Sequence, residues 1–241
     1  MRAQTRHQLK QDAFSRATIE AAEKTAHWSV EHRTTLTISG IVIALALAIG
    51  FGGWYYFEQQ NQKAGLDLTR AVRTMDTPLR PAGTPAQPDF PSFTSAKARG
   101  EAAEKQLQAI VDQYPHTRTA DMARYLLGAN ASNLGDTAAA EKDFKQVASS
   151  GPRDVSALAK FALASLYADT NRTKDAIALY QELINKPTVT VSKVTAQLQL
   201  AGLYQNSNQP LDAKRVYEQV QKENPTTEAG QLAMQKLAEL K

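Results

Sequence analysis

The sequence predicts an all-α protein: a single N-terminal transmembrane helix, then an α-solenoid of antiparallel helix pairs with a C-terminal capping helix. Three observations carry this. Residues 34–57 hold no charged side chain. A pattern of small, apolar and aromatic residues recurs three times, with offsets of 36 and 37 residues. Within each copy the apolar residues fall at i, i+3, i+4 and i+7, the spacing of a helix with one buried face.

The first element is the charge-free run. Thr34 to Phe57 is 24 residues long. At about 1.5 Å per residue it reaches about 36 Å, enough to cross a hydrocarbon core of about 30 Å. It ends in Trp54, Tyr55, Tyr56 and Phe57, and aromatic rings with polar edges settle at the headgroup level. Residues 1–33 are long for a signal-peptide leader, and no A-x-A-like site follows the run, so 34–57 is expected to remain as a signal anchor. Residues 1–33 are expected to be a cytoplasmic, helical segment, with Leu9, Ala13, Phe14, Ala17 and Ala21 on one side. Lys/Arg number three in 14–33 and three in 58–77, a tie, while six in 1–33 against four in 58–90 favour an N-terminus inside and the rest outside. Gly40, Ala44, Ala48 and Gly52 recur every four residues, a stripe along which another membrane helix can approach closely.

Residues 58–76 continue outward as a helix. Residues 77–95 hold five prolines and read as an extended loop. Residues 96–241 form the repeat domain. "LLGANASNLGDTAAAEKDFKQV" from Leu126, "ALASLYADTNRTKDAIALYQEL" from Ala162 and "QLAGLYQNSNQPLDAKRVYEQV" from Gln199 align column by column. Leu127, Leu163 and Leu200 precede the small residues Gly128, Ala164 and Ala201, which let two helices come close. Ala131, Tyr167 and Tyr204 follow. In the second helix stand Ala140, Ala176 and Ala213, then Phe144, Tyr180 and Tyr217, then Val147, Leu183 and Val220. Gly135, Asn171 and Asn208 mark the break, where a left-handed residue ends a helix. Pro210 suits the first turn of a helix. Ala103, Leu107, Ile110 and Pro115 repeat the second-helix columns upstream, so 58–76 supplies the missing first helix of a partial copy. Residues 226–240 read as the cap that shields the last apolar face.

This pattern resembles the tetratricopeptide repeat. It departs from it at position four, where the usual tryptophan is Arg124, Lys160 and Gln197. The layout of anchor, outward helix, "YPHTRTADMARYLLG" junction and repeats is similar to the YfgM-like tetratricopeptide family over roughly residues 30–241. That resemblance implies a protein of the bacterial inner membrane with a periplasmic repeat domain. Its implied partners are the Sec translocon, periplasmic chaperones or secreted clients. The junction is also similar to repeats of BamD, an outer-membrane assembly lipoprotein, and CpoB, a cell-division coordinator, which lack the anchor. An envelope assembly or cell-division factor, or a regulatory subunit of a membrane enzyme complex, is the alternative reading.

The family's first helices line a protein-binding groove. Carried over by position, that face here includes Tyr125, Ala129 and Asn133, then Phe161, Ser165 and Asp169, then Leu198, Gly202 and Gln205. Two readings fit the apolar trio Tyr125, Phe161 and Leu198: a partner surface, or packing against neighbouring helices. Positions that clamp a terminal carboxylate in some family members are Tyr125 and Ala129 here, so that ligand is not implied.

Chemistry is sparse. The chain has no cysteine, which excludes disulfides, thiolate nucleophiles and Cys-ligated metals. Beyond the anchor the only histidine is His116, without neighbours at metal-ligand spacing. No catalytic, metal or cofactor site is expected, and the protein is read as a non-enzyme. Residues 34–241 hold 22 Lys/Arg and 20 Asp/Glu, too balanced for phosphate-backbone binding, so nucleic acid is not an expected partner. Acidic pairs such as Glu101/Glu104 and Glu141/Asp143 lie beside lysines and read as solvated faces.

Overall fold

In the computed structural model residues 28, 32–81, 83–85 and 91–240 are described. Most of the expected N-terminal helix over 1–33 lies outside them. The chain divides into two compact units at Tyr56/Phe57. Among the described residues there are nine helices. They are α1 (Arg33–Asp76), α2 (Ala96–Gln113), α3 (Arg118–Asn133), α4 (Thr137–Ser150), α5 (Arg153–Asp169), α6 (Thr173–Asn185), α7 (Lys193–Asn206), α8 (Pro210–Glu223) and α9 (Glu228–Glu239).

Helix α1 crosses the unit boundary, and its two parts belong to different units. The part up to Tyr56 is long and apolar enough to be a candidate membrane span, with none of its most apolar stretch buried. Ile38, Ile41, Val42, Leu47, Ile49 and Phe51 are all exposed. In water such a surface would be costly at about 25 cal/mol per Å2 of apolar area, and lipid removes that cost.

The second unit is a stack of hairpins. The end of α1 turns Ala64 and Ala71 into a core with Leu107, Ile110 and Val111 of α2 and Ala123 and Leu127 of α3. Asn61 Oδ1 accepts from Thr119 N at 3.2 Å and Thr119 Oγ1 at 2.9 Å, fixing where α3 starts. The loop after α1 closes on itself through a parallel bridge between Leu79 and Phe93. Arg99 Nη1 then donates to Thr77 O at 2.8 Å, tying α2 to the end of α1.

Three full hairpins follow: α3/α4, α5/α6 and α7/α8. Their second helices bury the aligned columns Ala140, Ala176 and Ala213, Phe144, Tyr180 and Tyr217, and Val147, Leu183 and Val220. Each hairpin turn has one hydrogen-bond design. Gly135, Asn171 and Asn208 have φ of 82°, 60° and 56°. The next residues, Asp136, Arg172 and Gln209, donate from their N–H groups to Ala131 O, Tyr167 O and Tyr204 O at 2.9, 2.7 and 2.8 Å. This is the six-to-one bond of a Schellman ending, which satisfies a carbonyl the helix leaves open. Caps at the other ends are chemical: Thr117, Asp136, Ser192 and Thr227 accept from the N–H three residues on, and Pro210 opens α8. Helix α9 closes the stack, burying Gly230 and Ala233 against the core of Tyr217 and Val220.

Candidate functional site

The first helices α3, α5 and α7 carry the predicted surface. Helix α3 also lies against α5, and α7 against the cap α9, and each first helix packs on its own second helix. Tyr125, Phe161 and Leu198 are half-buried. Each sits 19 residues before an aromatic of the second helix. The Tyr125 ring lies 5.8 Å from Phe144 at a tilt, and Phe161 meets Tyr180 edge-on at 5.7 Å. Both spacings suit attractive quadrupole contacts. Leu198 borders the core that holds Tyr217. One side of each residue therefore packs on its hairpin, as the packing reading expects, and the other stays accessible.

Position nine gives Ala129 and Gly202 half-buried and Ser165 exposed. Further along, Asn133 and Asp169 are exposed and Gln205 is half-buried. None of the nine is sealed in the core. Gln205 Oε1 accepts from Tyr217 OH at 3.4 Å, a link inside the third hairpin. Burial raises the Tyr125 hydroxyl above its ordinary range. Burial, aided by the charge of Asp169, pushes Tyr180 up to about 12. These phenols stay neutral. In the other unit, Gly40, Ala44, Ala48 and Gly52 are all exposed on α1.

Position four, where the tryptophan is missing, holds polar links across the first two hairpins. Arg124 Nη1 lies 3.8 Å from Asp143 Oδ1, and Lys160 Nζ lies 2.7 Å from Glu182 Oε1. In the third hairpin Gln197 is 1% exposed and its amide makes no hydrogen bond within 3.5 Å, although it lies close enough to Glu223 to help hold that carboxyl down.

One expectation is corrected. Glu141 is not on a simply solvated face. Its Oε1 accepts from Lys145 Nζ at 2.6 Å on its own helix, from Arg172 Nη1 at 2.8 Å and from Tyr167 OH at 3.0 Å. The Arg172 guanidinium also stacks 3.8 Å over the Tyr167 ring, a cation–π contact. Lys145 first, then Arg172 and Tyr167, hold the Glu141 carboxyl down at about 2. Asp143 is corrected too: burial raises its carboxyl, against the pull of Arg124. Apart from Lys145, these partners come from the next hairpin or from across the same one, so local spacing did not show them. Among the described residues no His/Asp/Glu group is placed to hold a metal ion, and His116 is exposed on the turn before α3.

Stacked antiparallel hairpins with an accessible first-helix row define a helical-repeat protein. The tetratricopeptide repeat-like domain matches residues 26–186, more than half of the chain, and the tetratricopeptide repeat matches residues 195–227. The chain belongs to the tetratricopeptide repeat-like domain family. Among solved structures it is similar to a tetratricopeptide repeat protein from Parabacteroides merdae. There the TM-score is 0.53 at 17% identity, over 74% of this chain and 60% of that one. It is also similar to the nearly identical TPR-like repeats described as a kinesin light chain of Podosopora anserina. That match has a TM-score of 0.55 at 16% identity, over 75% of this chain and 86% of that one. The chain thus spans less than two thirds of the Parabacteroides protein, and at these identities the likeness is one of fold. No curated protein matches the sequence.

Proposed function

We propose that the chain is a non-enzymatic scaffold tethered by α1 in the inner membrane of a bacterium. Its N-terminus is cytoplasmic and its repeats face the periplasm. It holds segments of translocon components, periplasmic chaperones or secreted chains close to the membrane. The observation that carries this is the half-buried row Tyr125, Phe161 and Leu198. Aromatic and aliphatic side chains pre-set by packing offer contact area at little further cost in entropy. Exposed Asn133, Ser165 and Asp169 beside them supply the polar rim typical of such surfaces.

A photo-crosslinking side chain placed at Ser165 in living cells tests the reading. Translocon subunits, periplasmic chaperones or secreted chains are the expected captures, and recovery of cytosolic proteins alone would overturn the topology. The stripe Gly40, Ala44, Ala48 and Gly52 is proposed to meet a partner's membrane helix. Ala44→Leu with Ala48→Leu should reduce co-purification of that partner, and undiminished recovery rejects the contact.

A further inference from the structure

At the base of the second hairpin, the first turns of α5 and the last turn of α6 flank a half-open cavity of about 260 Å3. Its wall carries three cations, Arg153, Lys160 and Lys186, and its floor includes Ala157 and Leu183. Glu182 is the one acid in the lining, and it is already paired with Lys160 at 2.7 Å. Arg153 Nη2 donates to a neutral group, Pro187 O, at 3.1 Å. Lys186 is exposed and has no counter-ion among the described residues. Asp154, the nearest acid in sequence to Arg153, is exposed and outside the lining. Two positive charges therefore face the cavity unmatched.

The neighbouring hairpins match theirs internally. In the third, 37 residues on, Glu223 stands where Lys186 does and Lys193 where Ser156 does. Lys193 Nζ meets both Glu223 oxygens at 2.9 Å. In the first, Thr117 and Ser150 replace Arg153 and Lys186, and Arg124 faces Asp143. The second hairpin alone keeps cations at both positions, Arg153 and Lys186, without the acid that the third supplies.

We propose that this cavity binds a side-chain carboxylate from an acidic segment of a partner protein. The carboxylate sits between Arg153 and Lys186, answering their charge as Glu223 answers Lys193 in the third hairpin, and the methylenes behind it lie on Ala157 and Leu183. A guanidinium and an ammonium together give charge-assisted hydrogen bonds to both oxygens. The apolar floor favours a carboxylate on a short aliphatic stem over a bare inorganic anion. The site is distinct from the Tyr125, Phe161 and Leu198 row, so either proposal can fail alone.

Fluorescence anisotropy with the full chain in detergent micelles tests it. The probe is a labelled, end-blocked peptide of glutamates alternating with leucines, with its glutamine counterpart as control. The glutamate peptide is expected to bind and the glutamine peptide not. Lys186→Glu, which copies the third hairpin, should weaken binding about tenfold. Lys222→Glu, a reversal at an exposed lysine of α8, should change it less than about twofold. Displacement by citrate supports a carboxylate site and identifies free polycarboxylates as a second source. Equal losses in both variants, no loss in Lys186→Glu, or displacement by inorganic phosphate where citrate fails would each overturn the proposal.

Discussion

The joint between the first and second hairpins and the joint between the second and third share a backbone and differ in chemistry. Both begin from the same Schellman turn, with Arg172 N on Tyr167 O and Gln209 N on Tyr204 O. At the first joint Glu141 reaches across to Tyr167 and Arg172. At the second, the aligned residues are Ile177, Tyr204 and Gln209. Ile177 and Tyr204 are half-buried against one apolar core, with no charge between them. The turn fixes where two hairpins can meet, and the side chains then decide whether ions or apolar area hold them. Stability in a stack is roughly a sum over units and their interfaces, so the two joints should respond differently to the same perturbation.

The largest difference is expected at the paired tyrosines. Tyr167 is 5% exposed and packs, donates to Glu141 and underlies Arg172. Tyr167→Ala should destabilise the chain by about 3–4 kcal/mol, and Tyr204→Ala by about 1–2 kcal/mol. Urea unfolding in detergent micelles followed by circular dichroism measures both. Equal losses would mean that the two joints are energetically alike despite their chemistry.

Glycines extend the comparison to the hairpins themselves. A Cβ on Gly128 would stand 2.8 Å from the Phe144 ring and 3.3 Å from Ala140 O, whereas one on Gly202 would meet nothing within 4 Å. Gly128→Ala should cost about 1–3 kcal/mol through overpacking. Gly202→Ala should be neutral or stabilise by up to about 1 kcal/mol, since alanine favours the helix. A neutral Gly128→Ala would show that α3 and α4 can separate without penalty.

Much of this architecture was legible from local rules. Gly135, Asn171 and Asn208 marked all three turns because few residues tolerate a positive φ. The alanine and aromatic columns marked the buried face because helical spacing sets it. What stayed illegible depends on contacts distant in sequence. Glu141 looked solvated beside Lys145, while its other partners lie 26 and 31 residues away. The row Tyr125, Phe161 and Leu198 offered two readings, and spacing alone could not show that each residue is packed on one side and accessible on the other. The cavity at Lys186 escaped because a charge surplus is a property of converging helices, not of one stretch.

Position four provides a third contrast, of opposite sign. Lys160 is satisfied by Glu182, but Gln197 is buried with its amide unpaired. An unsatisfied buried amide costs about 1–3 kcal/mol relative to an apolar group of the same shape. Gln197→Met keeps the length and removes the polar atoms, so it should stabilise the third hairpin by about 1 kcal/mol. Lys160→Met should not stabilise the second, because it strands Glu182. A loss of stability in Gln197→Met would show that the amide is satisfied after all.

The smallest effect is the most diagnostic of the joints. The Glu141 carboxyl titrates at about 2, below its ordinary 4.5. The folded state therefore favours the ionised form, and the stability this adds is fully present above pH 4.5. It is lost as the pH falls from 4.5 through about 2. The side chain is 27% exposed, so screening reduces the contribution to about 0.5–1 kcal/mol. Glu141→Gln keeps an acceptor and removes the charge. Its stability deficit against the parent chain should be present at pH 7, shrink steadily below pH 4.5, and shrink also at 1 M salt, where the screening length is about 3 Å. Ile177→Val at the other joint removes a methylene and should leave a deficit that neither acid nor salt diminishes. A Glu141→Gln deficit that stays constant with pH and salt would mean that the first joint is held by the Tyr167 ring and its apolar neighbours, as the second is, and that the ion pairs around Glu141 add nothing to it.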